Sequence, residues 1–305
     1  MTPGRLPMLF DRQKRLLALL DVLGGRVGKL DFQKLLFQYC QEAGESAAYE
    51  FVPYKFGAFS FTSYADRRKL MERGLLEDDE QNWELTPAGR EAVKCTNAVA
   101  AQLASFGKKH GKLRGDALVV DTYRQFPYYA TRSEIADRLL AGDLAALRRI
   151  AAARPARGPA GLTTIGYEGR SLENYLNALL RSGVTLLCDV RRNPLSRKYG
   201  FSKGTLSKGC EGVGIRYEHL PELGIASDKR QHLQEQADYD LLFKEYEKHA
   251  LPAQTPALER IRGWVKEGER VALTCYERAP SQCHRHCVAQ AMERRFGVAF
   301  AAKHL

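Results

Sequence analysis

The chain has 305 residues, 44% hydrophobic and 27% charged, which fits a folded protein and excludes disorder throughout. At roughly 100–200 residues per domain, that length implies two domains, or three. The formal net charge of +11 is unevenly placed: residues 1–100 hold 14 basic against 14 acidic side chains, residues 101–200 hold 17 against 8, and residues 201–305 hold 16 against 14. A basic excess concentrated in the middle third excludes a uniformly solubilising surface and points to a polyanionic partner, nucleic acid and in first place DNA.

Met1–Arg15 carries Asp11, Arg12, Lys14 and Arg15 where a signal peptide needs its apolar core. No apolar run reaches the 18 or so residues of a membrane span. With seven cysteines, an odd number, reduced thiols in a cytoplasmic protein with no membrane partner are expected. Oligomeric state is left open.

Residues 11–23 (DRQKRLLALLDVL) have helical periodicity, with Leu16, Leu17 and Leu20 on one stripe and Gly24–Gly25 as the stop. Asp31 is placed to cap a second helix through Leu35, Leu36 and Phe37. The aromatic stretch YEFVPYKFGAFS is broken by Pro53 and Gly57, and residues 61–75 read as a third helix. Two short strands and a Thr86-Pro87 helix start follow. Helices followed by a two-stranded ribbon is the order of a winged helix, and WELTPAGREAV resembles the wing and last helix of winged-helix regulators. FQKLLFQYC with YEFVPYKFGAFS is similar to the antitoxin-type Panacea domains. Residues 1–96 are therefore taken as a mostly helical, winged-helix-like module.

Residues 97–150 read as a basic helical segment. Lys108, Lys109, Lys112 and Arg114, with Tyr123, Phe126, Tyr128 and Tyr129 downstream, suit phosphate contacts and base stacking, or else a solvated hairpin with core aromatics. Residues 151–160 (AAARPARGPA) are a linker. From 161 to 305, short apolar runs alternate with amphipathic helices: LTTIGYEG, SLENYLNALLRSG capped by Ser171 and ended by Gly183, VTLLCDV, IRYEHL, helices over 237–250 and 256–267, RVALTCYE, CHRHCVAQAMERRF and VAFAAKHL. That pattern predicts an α/β domain with a mainly parallel sheet of about five strands.

Ligands of open parallel sheets sit beyond the carboxyl ends of the strands. Here those ends deliver Tyr167, Asp189 with Arg191, Glu218 with His219, and Cys275 with Glu277, followed by Cys283, His284 and Arg285. Asp189, Glu277, Tyr167, Cys275 and His284 are the catalytic candidates. Arg191, Arg192, Ser196, Arg197, Lys198 and Arg285 are candidates for holding phosphate. Cys275, Cys283 and His284 admit three readings. They are a nucleophilic thiolate with its His partner, a zinc site using Cys283 and Cys287 beside His284 and His286, or buried thiols with a helix-capping His. CxxxC is not a zinc knuckle, Walker A and H-E-x-x-H patterns are absent, and no cofactor or metal is expected.

The same residues carry a resemblance. Gly166-Tyr167, Asp189-Val190-Arg191 with Pro194 and Ser196, Leu223-Gly224, Cys275 with Glu277, and Cys283-His284-Arg285 resemble the domain-of-unknown-function family 488, over about residues 161–295. Ile225 stands where that family often has a second Gly. The resemblance implies the sheet and its site and names no reaction.

A basic, aromatic rim with carboxylates suits cleavage of an N-glycosidic bond of a modified or damaged base, a DNA glycosylase-like hydrolase in repair or defence. Asp189 or Glu277 would stabilise the oxocarbenium-like state or position water, and Tyr167 would stack on the extruded base. The alternatives are a non-enzymatic winged-helix regulator with a nucleotide-sensing domain, or thiol or metal chemistry at the Cys/His cluster.

Overall fold

The computed structural model describes residues 8–44, 48–93, 95–230 and 233–305, so the first seven residues of the stretch weighed as a signal peptide lie outside it. The chain divides into two compact units, Met1–Arg154 and Pro155–Leu305. Among the described residues no helix is long and apolar enough to cross a membrane.

The first unit opens with α1 (Asp11–Val22), whose Leu16, Leu17 and Leu20 are buried as the periodicity requires. The next elements are β1 (Arg26–Gly28), α2 (Lys29–Ala43), the hairpin strands β2 (Val52–Tyr54) and β3 (Gly57–Phe59), α3 (Phe61–Glu72), β4 (Leu76–Asp78), β5 (Asn82–Leu85) and α4 (Pro87–Glu91). β1, β5 and β4 form an antiparallel sheet in that order, and Trp83 of β5 is buried against Phe32 of α2. Thr86 caps α4 by accepting from the Gly89 N–H, with Pro87 at the first helical position. Asp31 does not cap α2. Gly28 holds that position, and the Asp31 carboxylate, one turn in, accepts instead from the Gly115 N–H at 2.8 Å. β1 was missed because three residues are too few to show a period.

Five more helices complete this unit: α5 (Asn97–His110), α6 (Gly115–Gln125), α7 (Pro127–Ala130), α8 (Ala136–Leu139) and α9 (Leu144–Ala153). Leu103, Phe106 and Leu118 join the core formed by α1 and α2, so this stretch packs with the first ninety residues. α9 runs to Ala153, three residues into the segment read as a linker. The aromatic interruption is core and not a stacking platform. Tyr123 is buried, and Phe126 and Tyr129 pack on Phe37 at ring distances of 4.9 and 4.6 Å.

The second unit is a five-stranded parallel sheet, as the alternation predicted. Its strands are β6 (Gly161–Gly166), β7 (Leu186–Asp189), β8 (Arg216–His219), β9 (Arg270–Cys275) and β10 (Lys303–His304), in the order β10-β6-β9-β7-β8. The connecting helices are α10 (Leu172–Arg181), α11 (Lys203–Gly212), α12 (Gln236–Glu245), α13 (Thr255–Lys266) and α14 (Arg285–Phe296). Ser171 caps α10, and Gly183 follows it at φ +67°, where L side chains are strained. Side chains alternate across the pleat. Leu162, Leu186, Cys188, Val271 and Leu273 share one cluster with residues of α13 and α14. The intervening Thr274 faces the other way and accepts from the Tyr175 hydroxyl of α10.

One buried charge in the first unit has a measurable cost. Lys34 of α2 is buried beside an apolar pocket of about 300 Å³ lined by Tyr54, Phe56, Phe59 and Tyr64, and its ammonium donates to the Ala58 carbonyl at 3.0 Å. Burial lowers its pKa to about 7. Below pH 7 both folded and unfolded chains hold this proton and the fold bears the full desolvation cost. Between pH 7 and the ordinary lysine range only the unfolded chain holds it, so this residue's contribution to stability rises with pH, by about 1.4 kcal/mol per unit. Lys34→Met is expected to melt above the wild type at pH 7, with the gap closing as pH approaches 10. A gap independent of pH in paired melting curves would refute the assignment.

Candidate active site

The pleat splits the predicted rim into two clusters. Asp189 ends β7 in register with Thr274 of β9 and His219 of β8. It shares the α10 side of the sheet with Thr274, because its neighbours Cys188 and Val190 lie in the α13–α14 cluster. Cys275 ends β9 in register with Gly166 of β6, and alternation turns it with Leu273 toward α14. The two sets of candidates therefore lie against opposite faces.

Asp189 is fully buried and its carboxylate is fully used. Oδ1 accepts from the Arg191 backbone N–H at 3.1 Å and from Nε at 2.8 Å, and Oδ2 accepts from Arg191 Nη2 at 2.5 Å and from the Tyr217 hydroxyl at 2.6 Å. Arg191 Nη1 donates to the Tyr167 hydroxyl at 2.9 Å and the Phe201 carbonyl at 2.8 Å. Burial lowers the affinity of this guanidinium for its proton, but the hydrogen bonds and charge of Asp189 outweigh it and push the pKa up. Tyr217 is pushed up by burial first and by Asp189 second. Tyr167, only 3% exposed, lies face to face on Phe201 at 4.3 Å. This geometry corrects two expectations. Asp189 has no free oxygen for a water or a sugar, and Tyr167 offers no open face to a base. Arg191 gives most of its donors to Asp189, Tyr167 and Phe201, yet it also lines the cleft beside the reactive groups.

The other face carries the reactive groups. Cys275 Sγ lies 3.5 Å from Glu277 Oε2 and 3.7 Å from His284 Nδ1, while His284 Nε2 lies 3.0 Å from the Val190 carbonyl. A carbonyl only accepts, so Nε2 carries the proton and Nδ1 turns its lone pair to Cys275. The hydrogen bond from Cys283 lowers the Cys275 pKa to about 7 against the upward push of burial, with Arg230 assisting. Cys283 is pushed up, chiefly by burial. Arg230 forms an ion pair with Glu277 Oε1. These groups open into a cleft of about 370 Å³, whose lining also includes Arg192, Asn193, Leu195 and Tyr276. The volume lies within the usual range for small-molecule sites.

The expected phosphate ligands divide. Arg192 is exposed, lines the cleft and makes only a long 3.5 Å contact to the Pro221 carbonyl. Arg197 is exposed outside the cleft lining. Lys198 donates to the Tyr167 carbonyl at 3.2 Å, and burial lowers its pKa. The Ser196 hydroxyl is taken by the Lys198 N–H. Arg285 is no clamp, because it is buried and binds the Glu277 and Arg278 carbonyls and the Thr164 hydroxyl. In the first unit Lys109 pairs with Glu42 and Arg114 donates to the Leu113 carbonyl, while Lys108 and Lys112 are exposed.

Residues 171–292 match the family model described as "Domain of unknown function DUF488". The chain carries a DUF488 domain. The match takes in Asp189, Arg191, Cys275, Glu277, Cys283 and His284, whereas Gly166 and Tyr167 fall just before it. No curated protein matches the chain.

Of the residues lining the DUF488 cleft, Asn193, Leu195, Ile225, Arg230 and Tyr276 were not among the sequence candidates, and two of them matter most. Tyr276 is 43% exposed at the cleft, and it stands beside Cys275 and Glu277 in a run that alternates across a strand end, so its outward face was readable. Arg230 comes from a 3-10 turn, Ser227–Arg230, after β8, with no periodic signal to mark it. Asp189→Asn is expected to destabilise the fold by about 3–5 kcal/mol, because it leaves Arg191 buried without its counter-charge. Urea unfolding measures this, and wild-type stability in the variant would contradict the structural role.

Proposed function

We propose that this DUF488 domain is a hydrolase acting on nucleic acid, a DNA glycosylase-like enzyme that releases a modified or damaged base, with Glu277 in the role first shared with Asp189. The observation that carries the reading is the joint opening of Glu277, Cys275 and His284 into one cleft walled by Arg192 and Arg230. The two guanidiniums suit the phosphates flanking a target nucleotide. Tyr276 and the 74% exposed Leu195 offer apolar surface to an extruded base, the task first given to Tyr167. The Glu277 carboxylate would position a water and take its proton as the water adds to the anomeric carbon, and the base would leave with a proton. A phosphate drawn to Arg230 would weaken its hold on Glu277 Oε1 and free that oxygen for the reaction.

Docking of DNA falls to the first unit in this reading. Its exposed Lys108 and Lys112 support it, as does its order of helix, strand, helix, hairpin and helix before two strands that form a sheet with the first.

Full-length protein incubated with duplexes and single strands bearing different modified bases is expected to give free base by mass spectrometry and alkali-labile sites in the strand. Glu277→Gln should lower release by about 100-fold or more, and Tyr276→Ala should mainly raise KM. Free base released at the wild-type rate by Glu277→Gln would overturn the assignment. Binding without turnover on every substrate would favour a regulator instead.

A further inference from the structure

We infer that Cys275, Cys283 and His284 form a zinc site whose open position faces the cleft beside Glu277. The sequence offered a different zinc set, Cys283 and Cys287 one helical turn apart with His284 and His286, and among the described residues those four do not converge. The set that does converge joins the end of β9 to the start of α14. Cys275 Sγ, Cys283 Sγ and a ring nitrogen of His284 all lie within 4.8 Å of one another, and all three side chains are buried.

Four features make this a ligand set and not a chance meeting of thiols. The first is spacing. Tetrahedral zinc with bonds of about 2.3 Å to sulfur and 2.0 Å to nitrogen places those two ligands about 3.5 Å apart, and Cys275 Sγ is 3.7 Å from His284 Nδ1. The second is orientation. His284 Nε2–H donates to the Val190 carbonyl at 3.0 Å, which fixes the ring and leaves Nδ1 with a free lone pair, the outer contact that metal-bound histidines make. The third is chemistry, since two thiolates and an imidazole favour zinc over hard oxygen-seeking cations. The fourth is the missing ligand. Three protein donors with the fourth position left open is the arrangement of catalytic zinc, whereas structural sites are closed by four. Cys275 and His284 line the cleft, which supplies that opening.

Glu277 explains what the site would do. Its Oε1 is engaged by Arg230, and its Oε2 lies 3.5 Å from the Cys275 thiol. When zinc takes the thiolate of Cys275, that S–H is gone and Oε2 is released. A water in the open position would then give its proton to Oε2. The zinc-bound hydroxide would attack the substrate carbon, and the proton would pass to the departing group. The inference deepens the hydrolase reading by naming what activates the water, but the site itself is read without any substrate.

The test is the metal content of full-length protein purified in a non-chelating reductant. The expected result is about one zinc per chain, falling to trace levels in Cys283→Ser and in His284→Ala. Cys210→Ser, which removes a buried thiol on α11 away from the cluster, should keep its zinc. Cobalt loaded after chelator stripping should give thiolate-to-cobalt charge-transfer absorption in the wild type, lost in Cys283→Ser. Zinc-edge X-ray absorption on the wild type provides a readout that does not depend on variants folding, since two sulfur and one imidazole scatterer should surround the metal. Wild-type protein with no zinc that also fails to bind added zinc would overturn the site, as would a Cys275–Cys283 disulfide in the reduced preparation or a different metal at full occupancy. Loss of base release with zinc retained would count against the glycosylase reading alone.

Discussion

A carboxylate and a guanidinium are taken out of water together where β7 ends, and the carboxyl rim of the sheet is arranged around that pair. Asp189 and Arg191 are too costly to bury singly, so each must find every partner it needs inside the protein. Asp189 recruits Tyr217 from β8, and Arg191 recruits the Tyr167 hydroxyl beyond β6 and the Phe201 carbonyl before α11. Three chain segments are thereby tied to one point. The loop running out from that point carries Arg192, Asn193 and Leu195 to the cleft on the other face. The cleft thus rests on a charged pair, one member of which, Arg191, also forms part of its wall.

The sequence showed the sheet almost entire. Apolar runs such as VTLLCDV and RVALTCYE, separated by a capped helix and well-placed glycines, leave little freedom to a parallel α/β fold, and the strand ends named the rim residues. Period-two alternation, applied one step further, would also have separated Asp189 from Cys275, because Asp189 stands one residue past the core residue Cys188 and Cys275 stands two past the core residue Leu273. What no local pattern contains is the state of satisfaction of a buried group. Nothing in DVRRNP says that Arg191 turns back onto Asp189, and nothing in the spacing of Tyr217 and Phe201 says that they complete its hydrogen bonds.

The aromatic residues show the same limit from the other side. Tyr167, Tyr123 and Phe126 left two readings open in the sequence, stacking surface or core, and packing puts all three in the interior or against it. Aromatic side chains gain most from burial, so an aromatic residue in a basic segment is more often the floor under that segment than a surface it presents. Tyr276 was passed over in favour of its neighbours Cys275 and Glu277, yet it is the exposed ring at the cleft.

Gly166 faces Cys275 across the sheet, and a β-carbon built there would stand 1.9 Å from the Glu277 carbonyl oxygen. Gly224 does the same at 2.0 Å from the Arg192 nitrogen. At both places the backbone of a cleft residue passes too close for any side chain to stand between. A single methyl group at either position would have to push that backbone away, carrying Glu277 or Arg192 with it. The placing of two cleft side chains thus depends on two residues that contribute no functional group at all.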